Sequence, residues 1–219
     1  MRKLLLCALL VASAVPIASA DSIMIQSAGA TTVTVSGGGP YSNSNFNGWI
    51  IFLIAGASSS PGVGSFGLDL AVLAACSSGN CLTNPLNVFY SDTGFSTPVS
   101  TGGFQTTYSA TMTGGGTTNE IAWANSGNTL FGLGAANKIG SGVGLFSASG
   151  GFGTSSGGPA EVAPYSLTIE EILNANNSTS SFGTDADVTA TPEPAISLLL
   201  GTGLLGLCVL VRCKVFKAA

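Results

Sequence analysis

Between Phe104 and Met112 the chain reads FQTTYSATM, and the alternation is unbroken. Phe104, Thr106, Tyr108, Ala110 and Met112 fall on one face, with Gln105, Thr107, Ser109 and Thr111 on the other. A period of two marks a strand with one buried face, because successive side chains on extended backbone point to opposite sides. YSLTIEE repeats the pattern and turns Tyr165, Leu167 and Ile169 inward. TTVTV near Thr31, WIIFLIA from Trp49, LDLAVLA from Leu68, LNVFY from Leu86 and NEIAWA from Asn119 are further strand candidates. GVGLFSAS from Gly142 and TDADVTA from Thr184 complete the set. Turn-forming clusters separate these runs: SGGGP at 36–40, SSSPG at 58–62, TGGG at 113–116 and SGGFGTSSGGP at 149–159. Roughly nine or ten short strands between Gly-rich turns predict an all-β fold, an antiparallel β-sandwich of jelly-roll-like or immunoglobulin-like kind. LDLAVLAA also fits a short helix, and both readings stay open.

The two ends follow other rules. Met1-Arg2-Lys3 is a basic start, LLLCALLVASAVPI is an apolar run, and Ala18 and Ala20 form a small-residue cleavage site. That order of regions predicts a secretory signal peptide over residues 1–20 and a mature chain from Asp21. At the other end, Ala195 to Val211 carries no charge. As a helix it would span roughly 25 Å at 1.5 Å per residue, against a hydrocarbon core of about 30 Å. Its apolar residues run all round the helix, which suits lipid better than a half-exposed core position. Arg212, Lys214 and Lys217, in the tail 212–219, would hold the C-terminus in the cytoplasm by the positive-inside rule. Residues 188–194 read as a linker from the exported domain, 21–187, to the span 195–211. Within it, Pro192 and Pro194 keep Thr191 and Glu193 out of the helical region, leaving an extended peptide just outside the membrane.

Pro192-Glu193-Pro194, the apolar LLLGTGLLGL stretch and the basic RCKVFK end, in that order, resemble the PEP-CTERM sorting signal of exported bacterial proteins. The resemblance covers only the C-terminal tail. It implies recognition of the tail by an integral-membrane exosortase, a transient anchor in the inner membrane, and release or transfer to the cell surface. It also implies an association with bacteria that make extracellular polysaccharide. One departure is that the basic end is sparser than the family's usual arginine cluster.

Charge distribution narrows what the exported part can bind. Lys138 is its one basic residue against nine acids, a net charge of −8. Such a domain cannot neutralise phosphates, so nucleic acid is excluded as a partner. Its solubility rests on Ser, Thr, Asn and Gly. Cys76 and Cys81 frame SSGN, a stretch able to turn sharply enough to bring the two thiols together, and in an exported protein they predict a disulfide.

The chain contains no histidine, which removes Ser-His-Asp triads, Cys-His pairs and histidine-based zinc sites. What survives is carboxylate chemistry, as in glycoside hydrolysis, with Asp69, Asp92, Glu120, Glu161, Glu170, Glu171, Asp185 and Asp187 as its candidates. Glu170 and Glu171 face opposite ways on a strand, and the simplest expectation is that these acids are solvated on exposed faces. Asp92, or Asp185 with Asp187, would suit calcium by their oxygen ligands, but neither stretch resembles a dedicated loop. No catalytic residue, metal or cofactor is assigned. The reading reached is a non-enzymatic structural or adhesive protein of the cell surface or exopolysaccharide. Its rivals are a carbohydrate-binding module presenting Trp49 or Trp123, and a secreted glycosidase.

Overall fold

The computed structural model describes residues 20–59, 66–146 and 150–190. The predicted signal peptide up to Ser19, the Pro192–Pro194 motif, the span 195–211 and the basic tail lie outside the described residues. No helix among the described residues is long and apolar enough to cross a membrane.

Among the described residues, twelve strands build two antiparallel sheets packed face to face. In chain order they are β1 (Asp21–Gln26), β2 (Val33–Ser36), β3 (Tyr41–Phe46), β4 (Trp49–Ser58), β5 (Phe66–Cys76) and β6 (Leu86–Phe95). They continue as β7 (Phe104–Thr113), β8 (Gly116–Asn125), β9 (Lys138–Phe146), β10 (Gly150–Gly157), β11 (Tyr165–Ala175) and β12 (Ser181–Ala190). The first sheet runs β2-β1-β6-β11-β8-β9 and the second β10-β7-β12-β5-β4-β3. The chain crosses from one sheet to the other between β2 and β3, at each step from β5 to β8, and at each step from β9 to β12. Each sheet therefore combines strands adjacent in sequence, such as β4 and β5, with strands distant in sequence, such as β6 and β11.

Alternation decides which face each strand buries. On β7, Phe104, Thr106, Tyr108, Ala110 and Met112 are buried, and on β11 so are Tyr165, Leu167 and Ile169. Trp49 is fully buried, its ring 5.7 Å from that of Phe182, and its indole Nε1 donates to the carbonyl of Asn84 at 3.0 Å. Phe95 stacks on Tyr165, which meets Phe104 edge-on, so aromatic side chains from both sheets interlock. Asn47 and Gly48, with φ of 52° and 86°, make the two-residue turn between β3 and β4, the left-handed pair that a tight hairpin requires. Cys76 and Cys81 form a disulfide with Cα atoms 5.6 Å apart, closing the short turn after β5.

Of the two readings open for LDLAVLAA, strand is the one formed, as part of β5, because each of its residues finds register partners on both β4 and β12. Other expectations need correction. The Gly-rich stretch at 149–159 contains β10, whose residues pair with β7 from Gly150↔Thr111 to Gly157↔Phe104. Backbone hydrogen bonding to a ready-made neighbour outweighs the poor intrinsic strand preference of Gly and Ser. β1 and β3 are two more strands that the sequence pattern did not reveal. The linker begins later than position 188: β12 runs to Ala190, and Val188 is buried between Leu68 and Thr106 of its neighbours.

Candidate functional site

The outer face of the second sheet is assembled from the residues that alternation turns away from the core. β7 contributes Gln105, Thr107, Ser109, Thr111 and Thr113, a row of five side chains able to hydrogen-bond. Beside it, β12 contributes Ser181, Gly183, Asp185, Asp187 and Thr189, and β5 contributes Asp69, Ala71 and Leu73. Phe152 of β10 stands opposite Ser109 in the register and is 69% exposed. Across the sheet, Leu53 pairs with Leu73 just past a β-bulge, and both are exposed.

The centre of this face is hollow. Gly183 has no side chain, and a Cβ there would lie 3.0 Å from the Thr111 hydroxyl. A depression of about 490 Å³ forms over it, walled by Leu53 and Leu73 on one side and Ser109 and Thr111 on the other, with Asp185 in its lining. A second depression of about 290 Å³ continues beside Asp69, Asp187 and Thr189. Together they follow β12 from Gly183 to Thr189, roughly 20 Å at about 3.3 Å per residue.

Three carboxyls crowd the middle of this path. Asp187 stands directly opposite Asp69, and Asp185 lies two residues before Asp187 on the same face of β12. Partial burial, followed by the nearby Asp185 and Asp187, pushes Asp69 up to about 6. Burial and then Asp185 also raise Asp187, against a hydrogen bond from the Thr107 hydroxyl at 3.3 Å. Among the described residues no group of three such side chains is arranged to hold a metal ion.

The remaining acids overturn the expectation of exposed, solvated carboxyls. Asp92, Glu120, Glu161, Glu170 and Glu171 are all buried. Asp92 accepts hydrogen bonds from the Thr93 N–H and the Ser58 hydroxyl. Glu170 lies on the outer side of the first sheet, where burial raises it to about 7 against the opposing pull of Lys138. Glu120 and Glu171 are register partners on β8 and β11, and both point into the closed interior. Glu120 and Glu171 are thus shut inside the core, and the carboxyls that face the groove are Asp69, Asp185 and Asp187.

The tryptophans move as well. Trp49 is core, and Trp123 is 8% exposed, so neither offers a stacking face. Phe152 takes that position. Sequence pattern missed it because its neighbours Gly150, Gly151 and Gly153 read as turn. The β7 hydroxyl row was legible from alternation alone. Leu73 was reachable too, since the period of β5 sets Asp69, Ala71 and Leu73 on one face.

No family model matches the chain, and no curated protein matches it. Among solved structures it is similar to an enzymatically active domain of bacteriophage CBA120 tailspike protein 4, at 11% identity and TM-score 0.34, over 64% of this chain and 19% of that one. It is similar to the adhesin domain of Epf from Streptococcus pyogenes, at 10% identity and TM-score 0.40, over 77% of this chain and 57% of that one. The CBM22-1 xylan-binding domain of Paenibacillus barcinonensis Xyn10C gives 6% identity and TM-score 0.31, over 72% of this chain and 98% of that one. Likenesses this distant carry no argument about what the present chain binds.

Proposed function

We propose that this chain is an exported, non-enzymatic surface or matrix protein that binds polysaccharide along the outer face of its second sheet. The observation that carries the reading is the hydroxyl-rich row of β7, set between exposed Phe152 and the Leu53–Leu73 wall over a shallow groove. Sugars present alternating hydroxyls and apolar C–H patches, and such a face answers both: hydroxyls and carboxylates accept and donate hydrogen bonds, while an exposed ring packs against the C–H face. A groove open to solvent accommodates a chain passing along the strands. The surplus of acids turns it away from polyanions.

Delivery belongs to the same proposal. The tail 191–219 would act as a sorting signal, with Pro192-Glu193-Pro194 presented to an exosortase-type membrane enzyme and the apolar stretch as a temporary anchor. Mass spectrometry of the C-terminus tests it: material ending near Pro194 in the released fraction supports sorting, and a tail intact to Ala219 in every fraction contradicts it.

Binding is tested by affinity electrophoresis in gels cast with neutral and acidic polysaccharides. The wild-type protein should be retarded by at least one neutral polymer. Phe152→Ala, and Ser109→Trp placed to fill the groove, should lose most of that retardation while keeping the wild-type melting temperature. Equal retardation of both variants and the wild type would end the reading.

A further inference from the structure

Glu171 is fully buried on β11, and it meets Thr184 of β12 across the space between the sheets, the threonine hydroxyl donating to its Oε2. Thr184 is itself buried. Glu120 stands directly opposite Glu171 on β8, with no exposed surface. Directly opposed strand residues hold their Cβ atoms about 5 Å apart, so the two carboxyls share one small volume. Tyr108 of β7, with its hydroxyl turned toward Thr118 and Thr184, closes that volume from the other sheet. Glu171 Oε1 has no hydrogen-bond partner. A nucleophilic hydroxyl, a carboxyl and a second carboxyl are therefore collected where water is excluded.

We propose that Thr184 and Glu171 condense into an internal ester that joins the two sheets covalently. Two like charges this close do not both ionise, so the pair holds one proton between them. Burial raises the Glu171 carboxyl well above the usual range, which suits it as the acid of the ester, and Glu120 directly opposite is placed to relay a proton. The Thr184 oxygen attacks the Glu171 carboxyl carbon while its proton passes to Glu120. The C–O bond to threonine forms, the tetrahedral carbon expels its hydroxyl, and Glu120 returns the proton to that leaving group, so that one water departs. No oxidant, reductant or further reactant is needed. Holding the groups in contact supplies the effective concentration that free acid and alcohol lack, up to about 10⁵ M or more in well-aligned intramolecular reactions. The product also removes an ionisable group from the interior, which favours it over the acid.

The test is the intact mass of the folded full-length chain and of its processed form, measured after denaturation. The expected mass is one water below the value for the disulfide-bonded sequence, with a digest containing a branched peptide that joins the segments of Glu171 and Thr184. Thr184→Val should recover the full mass, and Glu120→Gln should slow the loss of water about a hundredfold. Hydroxylamine should open the link in denatured wild-type protein. A wild-type chain that folds, with Trp49 buried by fluorescence, yet keeps the full sequence mass after long incubation overturns the proposal. Loss of water that persists in Thr184→Val does the same. Should that variant fail to fold, the wild-type mass and branched peptide still decide.

Discussion

Thr184 and Asp185 are neighbours on β12, and they mark two acidic neighbourhoods with opposite surroundings. On the inner side, Glu171 and Glu120 sit in the closed core beside the Thr184 hydroxyl. On the outer side, Asp185 shares an open groove with Asp69 and Asp187. The residues are chemically alike. Inside, an isolated charge costs several kcal/mol, so the Glu171 carboxyl is raised well above the usual range and becomes a group that can react or bond locally. Outside, water screens the charges, and the carboxyls stay available to a ligand.

The sharpest way to break this comparison is to place the same substitution on both sides. Glu171→Lys forces a longer, charged side chain into the packed core and removes the contact with Thr184, and should cost about 4 kcal/mol or more, enough to unfold an ordinary domain. Asp185→Lys should shift stability by no more than about 0.5 kcal/mol. Urea denaturation of the two variants reads the difference, and similar midpoints would mean that the inner site is open to water.

A smaller effect separates buried acids from exposed ones by pH. Glu170 is raised to about 7 in the folded protein, above its unfolded value. Its contribution is therefore full below about pH 4.5 and is lost as pH rises through about 7, on the order of 3 kcal/mol in all. Stability should fall over that window in the wild-type protein and flatten in Glu170→Gln. In Thr184→Val, where Glu171 remains a free acid, the fall should be steeper. Thermal unfolding across pH 4 to 8 measures all three, and a rise in wild-type stability over the window would contradict the assignment.

The smallest effect lies on the groove itself. Asp185→Asn removes one neighbour of Asp69 and leaves its partial burial, so the Asp69 pKa should drop from about 6 by roughly one unit. Carboxyl carbon NMR titration reads it directly. A value unmoved from about 6 would mean that burial alone sets it.

How much of this was legible depends on the kind of information each feature needs. The faces of β7 and β11 could be read outright, since alternation in FQTTYSATM and YSLTIEE needs no partner strand. The same period carried to Glu171 puts it on the face of Tyr165, Leu167 and Ile169, inside the sandwich. That Glu120 stands opposite was not legible, because the register of β8 on β11 is a long-range pairing with no local signal. β10 was hidden for the complementary reason. Glycine and serine carry little side-chain pattern, and only the presence of β7 makes an edge strand of them. Phe152 went with it. The groove floor at Gly183 likewise needs its neighbours before an absent side chain becomes a hollow.

The account stands most directly on where sugar meets the protein. Backbone amide NMR, run while titrating oligosaccharides cut from a polymer that retards the protein in gels, gives that location without any mutation. The account predicts the largest shifts at Thr107–Thr111, Phe152 and Gly183–Asp187, with the first sheet unmoved. Shifts concentrated on the first sheet, with those residues still, would contradict it.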